Sequence, residues 1–383
     1  MNYSSLFSKI DSMYKKYLSI LEEVCTIESP TNFKEGVDKA GQYFIDIAKS
    51  RGWDIDILKC EKAGNAVTIT MNPEAKGQPF CVSGHLDTVH PVGMFGYPPV
   101  KYDSEKVYGP GVADCKGGIV AALMAMEALE SEGFTSRPVR LILQTDEEGS
   151  SKMSNKATVA YMCEKAKDAV AFINLEPSDS TEVCIQRKGI YTYKFTVTGK
   201  EAHSSACATK GANAIADAAY KIIELEKFKD KDGITCNCGV ISGGTVPNTV
   251  AGECTFIANF RFATPEQKEY IEQFVDNLKA TAHVKGCTCE VAVDGYRPAM
   301  PRTEKNDEFF RQMCEIFEKT GLPAIIAGKR TGGSDAAYIT EIGVPCIDSL
   351  GLVGGAIHSI DEYAYLSSLT ERAKRIAAII SAI

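Results

Sequence analysis

Three carboxylates follow one another at the end of an apolar run, Leu141-Ile-Leu-Gln-Thr-Asp146-Glu147-Glu148-Gly149. The run reads as a buried strand whose C-terminal end delivers negative charge to one point, which is costly unless something positive sits there. Successive residues on a regular strand face opposite ways, so Glu147 and Glu148 share a cleft only if the chain turns here, which Gly149 permits. Taken alone, the segment is equally well a solvated acidic loop. Four other stretches change the balance. Ser83-Gly-His85-Leu-Asp87-Thr88 closes a second apolar run and sets His85 and Asp87 two apart, so that both point the same way on an extended chain. A carboxylate beside an imidazole fixes the tautomer and orientation of a metal-bound histidine, although a turn histidine satisfied by its neighbour has the same pattern. Tyr108-Gly-Pro-Gly-Val-Ala-Asp114-Cys-Lys-Gly-Gly118 places an acid in a glycine-rich turn before a helix, and Asn174-Leu-Glu176-Pro177 places another at a strand end. Gly354-Gly-Ala-Ile-His358-Ser-Ile-Asp-Glu362 carries a second imidazole in a glycine-rich loop before the last helix.

His85, Asp114, Glu148, Glu176 and His358 together supply two imidazoles and three carboxylates. That inventory suits a pair of divalent ions such as zinc: one carboxylate bridges, and each ion takes one histidine and one terminal carboxylate. A carboxylate outside the ligand set then serves as general base to a water acidified by two metals, and Glu147 is the natural candidate. Asp87 is the partner that would orient His85. A nucleotide-binding loop at Gly109–Gly118 is disfavoured, because the spacing is not Gly-x-Gly-x-x-Gly and no Gly-Lys-Ser/Thr follows. The chain has only five histidines. Of the other three, His203 reads from spacing as a surface loop residue, and His90 and His283 receive no role.

The elements that must position these residues alternate in type. Helical periodicity runs over residues 4–27, with Leu6, Ile10, Met13, Tyr17, Ile20 and Leu21 on one face, and a second helix is expected over 34–51. Strands are expected at 54–59, 65–71, 79–83, 138–145 and 169–174, with helices at 117–132 and 153–167. Such alternation indicates an α/β unit with a largely parallel or mixed sheet, in which ligands collect at the C-terminal strand ends. From Ile190 the pattern becomes strictly alternating, and strands and helices then follow in a β-α-β-β-α-β order to about residue 293. This is the ferredoxin-like succession of a small inserted α+β domain. After Tyr296-Arg-Pro298 the α/β style resumes, with a strand at 344–348 and a final helix at 366–382. The expected division is a discontinuous larger domain, 1–189 plus 296–383, around an insert at 190–295.

At 383 residues the chain can bury two cores. A formal net charge of -8 argues against nucleic acid as a partner, which would need clustered lysine and arginine. There is no apolar run of membrane-spanning length and no signal core after Met1, so a cytoplasmic protein with no membrane partner is expected. The fourteen cysteines are scattered singly, and the close pairs Cys236-Asn-Cys238 and Cys287-Thr-Cys289 lack the Cys-x-x-Cys spacing, which suits reduced thiols.

These stretches resemble the M20 metallopeptidases, the co-catalytic zinc amidases that include glutamate carboxypeptidases, acetylornithine deacetylase, succinyl-diaminopimelate desuccinylase and tripeptide aminopeptidase. The motifs run in order over nearly the whole chain: Ser83-Gly-His-Leu-Asp87-Thr, Gly109-Pro-Gly-Val-Ala-Asp-Cys-Lys-Gly-Gly118, Thr145-Asp-Glu-Glu-Gly149, Asn174-Leu-Glu-Pro177, Gly199-Lys-Glu-Ala-His203-Ser, Gly332-Gly-Ser-Asp-Ala-Ala337 and His358-Ser-Ile-Asp-Glu362. Cys115 stands where the family often has Met. The resemblance implies an α/β, mixed-sheet di-zinc aminopeptidase-like catalytic domain with a ferredoxin-like lid. It implies that His85, Asp114 and Glu176 hold one metal, that Asp114, Glu148 and His358 hold the other, and that Asp114 bridges. Zinc is the expected ion, with cobalt or manganese as alternatives. Glu147 becomes the general base, Asp87 orients His85, and His203 stabilises the oxyanion from the lid, coming from the neighbouring subunit in dimeric members. Arg261 and Asn248 match lid positions that hold the substrate's carboxylate in the glutamate carboxypeptidase branch; a guanidinium donates two parallel hydrogen bonds to a carboxylate, while a strand-edge ion pair is the other explanation of Arg261.

Arg297, with Arg187 and Lys188, offers further positive charge near the domain joints. Thr331–Ser334, including Gly333, reads as a loop whose N–H groups could hold the second end of a substrate, and a helix cap at Ser334 explains it equally well. The expected reaction is hydrolysis of an amide bond beside a free carboxylate in a small peptide. Deacylation of N-acyl amino acids is the rival within the same chemistry. The tract Arg330–Ala337 and Glu rather than Asp at position 176 look most like the glutamate carboxypeptidase branch. A binding protein that keeps the fold without activity is disfavoured because ligand set and base are all present, and a dinucleotide enzyme by its missing glycine fingerprint. Lid domains commonly pair in the resembling family, and the alternating lid strands offer an edge, so a homodimer is expected.

Overall fold

The computed structural model describes residues 1–383, which fall into two compact units. The first comprises Met1–Ile185, Arg302–Lys329 and Ser334–Ile383; the second comprises Gln186–Pro301 and Arg330–Gly333. The short segment Arg330–Gly333, which the sequence groups with the larger domain, is tied into the second unit by Lys188 N–H donating to the Arg330 carbonyl and Arg187 Nη1 donating to that of Gly332.

The first unit is built on a six-stranded mixed sheet in the order Asp54–Leu58, Ala66–Met71, Val139–Gln144, Phe80–His85, Ala171–Asn174, Cys346–Ile347. The first two pairings are antiparallel and the last three parallel, so the last four strands end at one edge. Phe80–His85 is buried along its whole length, as expected of a central strand covered on both faces. The helix Lys116–Ser131 is buried from Lys116 to Leu129 and packs on this sheet and on the last helix, Ser367–Ala382, which explains why it is apolar all round rather than striped. Residues 4–27 form two helices, Tyr3–Ser12 and Tyr14–Thr26, rather than one. At Met13 the N–H reaches back to the Ile10 carbonyl, three residues away, and this tightened turn lets both halves keep Leu6, Ile10, Tyr17, Ile20 and Leu21 buried.

A small four-stranded sheet escapes sequence reading: Gly354–Gly355, Tyr363–Tyr365, Lys106–Tyr108 and Lys101–Tyr102. Its strands have two or three residues each, too few to show a period. Gly354 pairs with Ala364, and a Cβ on Gly354 would stand 2.3 Å from the Tyr363 carbonyl oxygen and 2.7 Å from Ala113 Cβ. Only glycine permits that approach.

The second unit has its own core and a four-stranded antiparallel sheet. Its elements succeed one another as Gly189–Thr198, helix Ala214–Leu225, Thr235–Gly243, Glu253–Phe262, helix Pro265–Ala280 and Thr288–Arg297. This is the β-α-β-β-α-β succession expected from the pattern, with Thr235–Gly243 at one edge of the sheet.

Candidate metal centre

Four parallel strands deliver their C-terminal residues to one edge, and the chemistry gathers there. His85 is the last residue of the central strand, in register with Gln144. Beyond it, Leu86 N–H donates to the Gln144 carbonyl, and Ser29 Oγ donates to the Leu86 carbonyl at 2.6 Å, so the chain leaves the sheet in a fixed direction. His85 Nδ1 stands 2.9 Å from the Asp87 main-chain carbonyl and 3.5 Å from Asp87 Oδ1. A carbonyl only accepts, so Nδ1 carries a proton in either charge state of the ring, and Nε2 is the nitrogen turned toward Asp114.

The Asp87 carboxylate has a second task. Its Oδ1 accepts from Glu147 N–H and its Oδ2 from Glu148 N–H, each at 3.1 Å, with Thr31 Oγ1 donating to Oδ2 at 2.8 Å. The acidic turn is therefore wound around Asp87. Gly149 was expected to permit this turn, but the positive φ values fall on Ser150 and Ser151, at 54° and 55°. Asp146, which has no role in the sequence reading, is fully buried and accepts from Ser154 N–H at 2.7 Å, closing the loop that presents Glu147 and Glu148.

Asp114 lies between the two imidazoles. Its Oδ1 is 3.0 Å from His85 Nε2 and its Oδ2 is 3.3 Å from His358 Nε2; Glu176 Oε1 is 3.8 Å from His85 Nε2, and Glu148 Oε2 is 3.4 Å from His358 Nε2. Two trios result, His85–Asp114–Glu176 and Asp114–Glu148–His358, each with its donor atoms within 4.8 Å of one another. Donors about 2.1 Å from one tetrahedral ion stand roughly 3.4 Å apart, the middle of the observed range. The donor set thus fits two divalent ions sharing Asp114. Ala356 and His358 adopt φ of 52° and 62°. A left-handed conformation costs roughly 1–2 kcal/mol per residue, and such strain persists where the surroundings over-determine it.

Electrostatics point the same way. Burial, with the charges of Asp114 and Glu147, pushes the Glu176 carboxyl well above the usual range. Burial likewise lifts Glu148 to about 7, although the His358 hydrogen bond opposes it. Asp114 moves down: burial opposes its ionisation, but hydrogen bonds from His358 and His85 win. Hydrogen bonds to Asp114 and Glu148 raise His358 to about 10. His85 lies well above its ordinary value, because burial is outweighed by Cys115, Asp114 and Asp87. Protons occupy places here that cations would take. Glu147 is buried, belongs to neither trio, and its charge is felt by both Glu148 and Glu176.

Two residues that the sequence left without a role stand behind the trios. Glu362 and His90 are buried, and His90 Nε2 lies 2.8 Å from Glu362 Oε2. The sequence signal was present in the acid that ends the His358 motif, but nothing there marks its partners.

Within the second unit, His203 is exposed, its Nδ1 2.8 Å from Ser205 Oγ. His203 forms a bridge with Thr249, and Ser204 N–H donates to the Asn248 carbonyl, so the loops of His203 and Asn248 lie together. Arg261 and Arg297 are both in register with Ile190, one on each side, and so share a sheet face. The Arg261 guanidinium is held below its usual range by burial and by the charge of Arg297. Gly333 lies against the Arg297 stem, where a Cβ would meet Arg297 Cδ at 2.9 Å. Ser334 is fully buried in the first unit; its hydroxyl donates to Asp348 Oδ2 at 2.5 Å and accepts from Ala336 N–H. The helix cap expected at Ser334 falls one residue later, on Asp335, which directly precedes the helix Ala336–Glu341, and the Ser334 hydroxyl is instead directed to Asp348.

Residues 81–382 match the model of peptidase family M20/M25/M40. The chain is 26% identical over 383 residues to carboxypeptidase G2 of Pseudomonas sp. (strain RS-16), covering 98% of this chain and 91% of that protein. It is also 26% identical over 384 residues to a succinyl-diaminopimelate desuccinylase of Nitrosospira multiformis, covering 94% and 96%. A solved tripeptidase from Staphylococcus aureus superposes with a TM-score of 0.77 at 23% identity, covering 96% of this chain and 98% of that one, a likeness of fold.

Proposed function

The chain belongs to peptidase family M20/M25/M40, a metal-dependent amide hydrolase, and from that premise we propose that it cleaves an amide bond beside a free carboxylate in a small peptide, using two zinc ions. The observation that carries this reading is the pair of donor trios sharing Asp114, with the Glu147 carboxylate next to them. His85, Asp114 and Glu176 would hold one ion; Asp114, Glu148 and His358 would hold the other. Bound there, such ions acidify water and polarise a carbonyl. Glu147 takes the proton of the attacking water and returns it to the leaving amine. Asp87 keeps the His85 ring in its tautomer and the Glu147–Glu148 turn in place. The second unit, taken as a lid and dimerisation domain, contributes His203 as a hydrogen-bond donor to the oxyanion and Arg261 and Asn248 as the seat of the substrate carboxylate, with Arg297 and the Gly333 loop beside them. Closure of such a lid excludes water.

The identity to carboxypeptidase G2 supports a substrate with a free C-terminal carboxylate, and the two arginines beside Ile190 support an acidic residue there. The equal identity to a desuccinylase favours a second reading, an N-acyl-amino-acid deacylase. A hydrolysis panel of C-terminal-glutamate dipeptides, tripeptides and N-acyl amino acids, with zinc, cobalt or manganese supplied, separates them. The highest kcat/KM is expected on the glutamate dipeptides with zinc. Turnover confined to acyl amino acids would establish the deacylase reading instead, and no turnover on any arm would remove both.

A cytoplasmic homodimer accompanies this reading. No helix is long and apolar enough to cross a membrane. Ile215, Tyr220 and Ile223 on helix Ala214–Leu225, and Val240 and Ile241 on the edge strand Thr235–Gly243, are exposed, an apolar face and an unpaired edge on one unit. Introducing charge by Ile223→Glu with Ile241→Lys is expected to convert a dimer to a monomer, read as a halved mass by light scattering. An unchanged mass in the double variant would locate the contact elsewhere.

A further inference from the structure

Glu362 is a buried carboxylate that belongs to neither donor trio, yet it touches all three loops that carry the imidazoles and the shared acid. Its Oε1 accepts two main-chain hydrogen bonds, from Ala113 N–H and Asp114 N–H, each at 3.0 Å. Its Oε2 faces His90 Nε2 at 2.8 Å, and His90 follows His85 by five residues on the loop that leaves the central strand. Its own main chain accepts from Gly109 N–H and leads straight into the pairing of Tyr363 with Tyr108, four residues after His358. The His90 ring is set in turn against Phe95, edge-on, with centroids 4.9 Å apart.

We infer that Glu362, with His90 as its strut, is the positioning residue of the centre: it fixes the main chain of Asp114 and ties the His85 and His358 loops to it. The inference rests on the reading that the two trios hold metal. Both oxygens of Glu362 are committed to donors, so it acts through Asp114 rather than as a ligand. Hydrogen bonds to the N–H groups of residues 113 and 114 fix the peptide from which the Asp114 side chain springs, and thereby where both of its oxygens lie. Because Asp114 is common to both trios, a shift there loosens both at once.

This has a signature that a merely stabilising contact lacks. Glu362→Ala deletes all three hydrogen bonds, and loss of an outer partner that orients metal ligands typically weakens affinity about 10–100-fold. Glu362→Gln keeps an oxygen for the two main-chain donors and turns its amide toward His90, which can accept by changing tautomer, so roughly wild-type affinity is expected. His90→Phe keeps a ring against Phe95 but removes the strut, and an intermediate loss of roughly 3–10-fold follows, below the full effect of an outer partner.

The measurement is zinc affinity and stoichiometry by competition with a chromogenic chelator, alongside the melting temperature of each zinc-free protein. The expected order of affinity is wild type, Glu362→Gln, His90→Phe, Glu362→Ala. Wild-type affinity in folded Glu362→Ala, or equal weakness in the Gln and Ala variants, would overturn the inference. Should Glu362→Ala not fold, His90→Phe decides, and unchanged zinc affinity there overturns it. A wild-type chain that takes up no divalent metal would instead remove the reading beneath it.

Discussion

Glu147→Ala is expected to lower kcat by about 10²–10⁴-fold, the span a positioned general base contributes, while the protein still takes up two zinc ions. The argument begins with what the substitution leaves intact. Glu147 belongs to neither donor trio, so no ligand is lost. Its main-chain N–H to Asp87 Oδ1 and its carbonyl, which accepts from Ser150 N–H at 2.7 Å, survive in alanine, and the turn that presents Glu148 survives with them. What disappears is a buried carboxylate whose charge Glu148 and Glu176 both feel. A group that acts only in the transition state lowers kcat and kcat/KM together and leaves KM near its original value. Glu147→Gln, which keeps the size and removes the basicity, should fall with it. Steady-state kinetics on metal-replete protein, with zinc counted by elemental analysis, gives the answer. Near-normal turnover in fully metallated Glu147→Ala would remove Glu147 as the base, and a drop in zinc content would show that it belongs to the ligand set.

Much of the site is legible because it lies where regular structure ends. Glu147, Glu148 and Glu176 follow apolar runs that can only be strands, His85 ends another, and strands that run parallel bring such ends to one edge. The β-α-β-β-α-β order of the second unit is legible for a related reason: strands with one wet face alternate strictly, as Gly189–Thr198 does. Three features are not legible. The small sheet that carries the His358 loop has Gly354 and Gly355 as a strand, which show no side-chain period. The acidic turn is wound by Asp87, whose partners are main-chain N–H groups about 60 residues away, and main-chain donors look alike in every sequence. Glu362 is hidden in the same way, its partners being the peptides of residues 113 and 114. Side chains that act on side chains leave a mark in residue type, whereas side chains that act on peptides leave almost none.

Zinc uptake is expected to expel protons, and its affinity to rise steeply with pH. Without metal at pH 7, His85 lies well above its ordinary value and His358 near 10, so both imidazoles are protonated. Glu176 is pushed well up and Glu148 titrates near 7, whereas Asp114 is ionised. Histidine nitrogen binds a metal only when neutral, and a carboxylate binds best when ionised, so loading both ions releases roughly three protons. Each proton expelled raises the product of the two affinities about tenfold per pH unit, so that product should climb roughly a thousandfold between pH 6 and 7. The sign for the metal-free protein is opposite. The four groups with raised values, His85, His358, Glu148 and Glu176, bind protons more tightly folded than unfolded, so their contribution to stability is present below the unfolded values, near 4.5 for glutamate and 6.5 for histidine, and is lost as pH rises through the folded ones, about 7 for Glu148 and about 10 for His358. Metal-free protein should therefore melt at a lower temperature at pH 8 than at pH 6, while the rise in melting temperature on adding zinc should be larger at pH 8. Titration calorimetry in two buffers of different ionisation heat counts the protons directly. Uptake with no proton release, together with a metal-free melting temperature that rises from pH 6 to pH 8, would mean that the imidazoles are neutral before zinc arrives and that the two trios are not held together by shared protons.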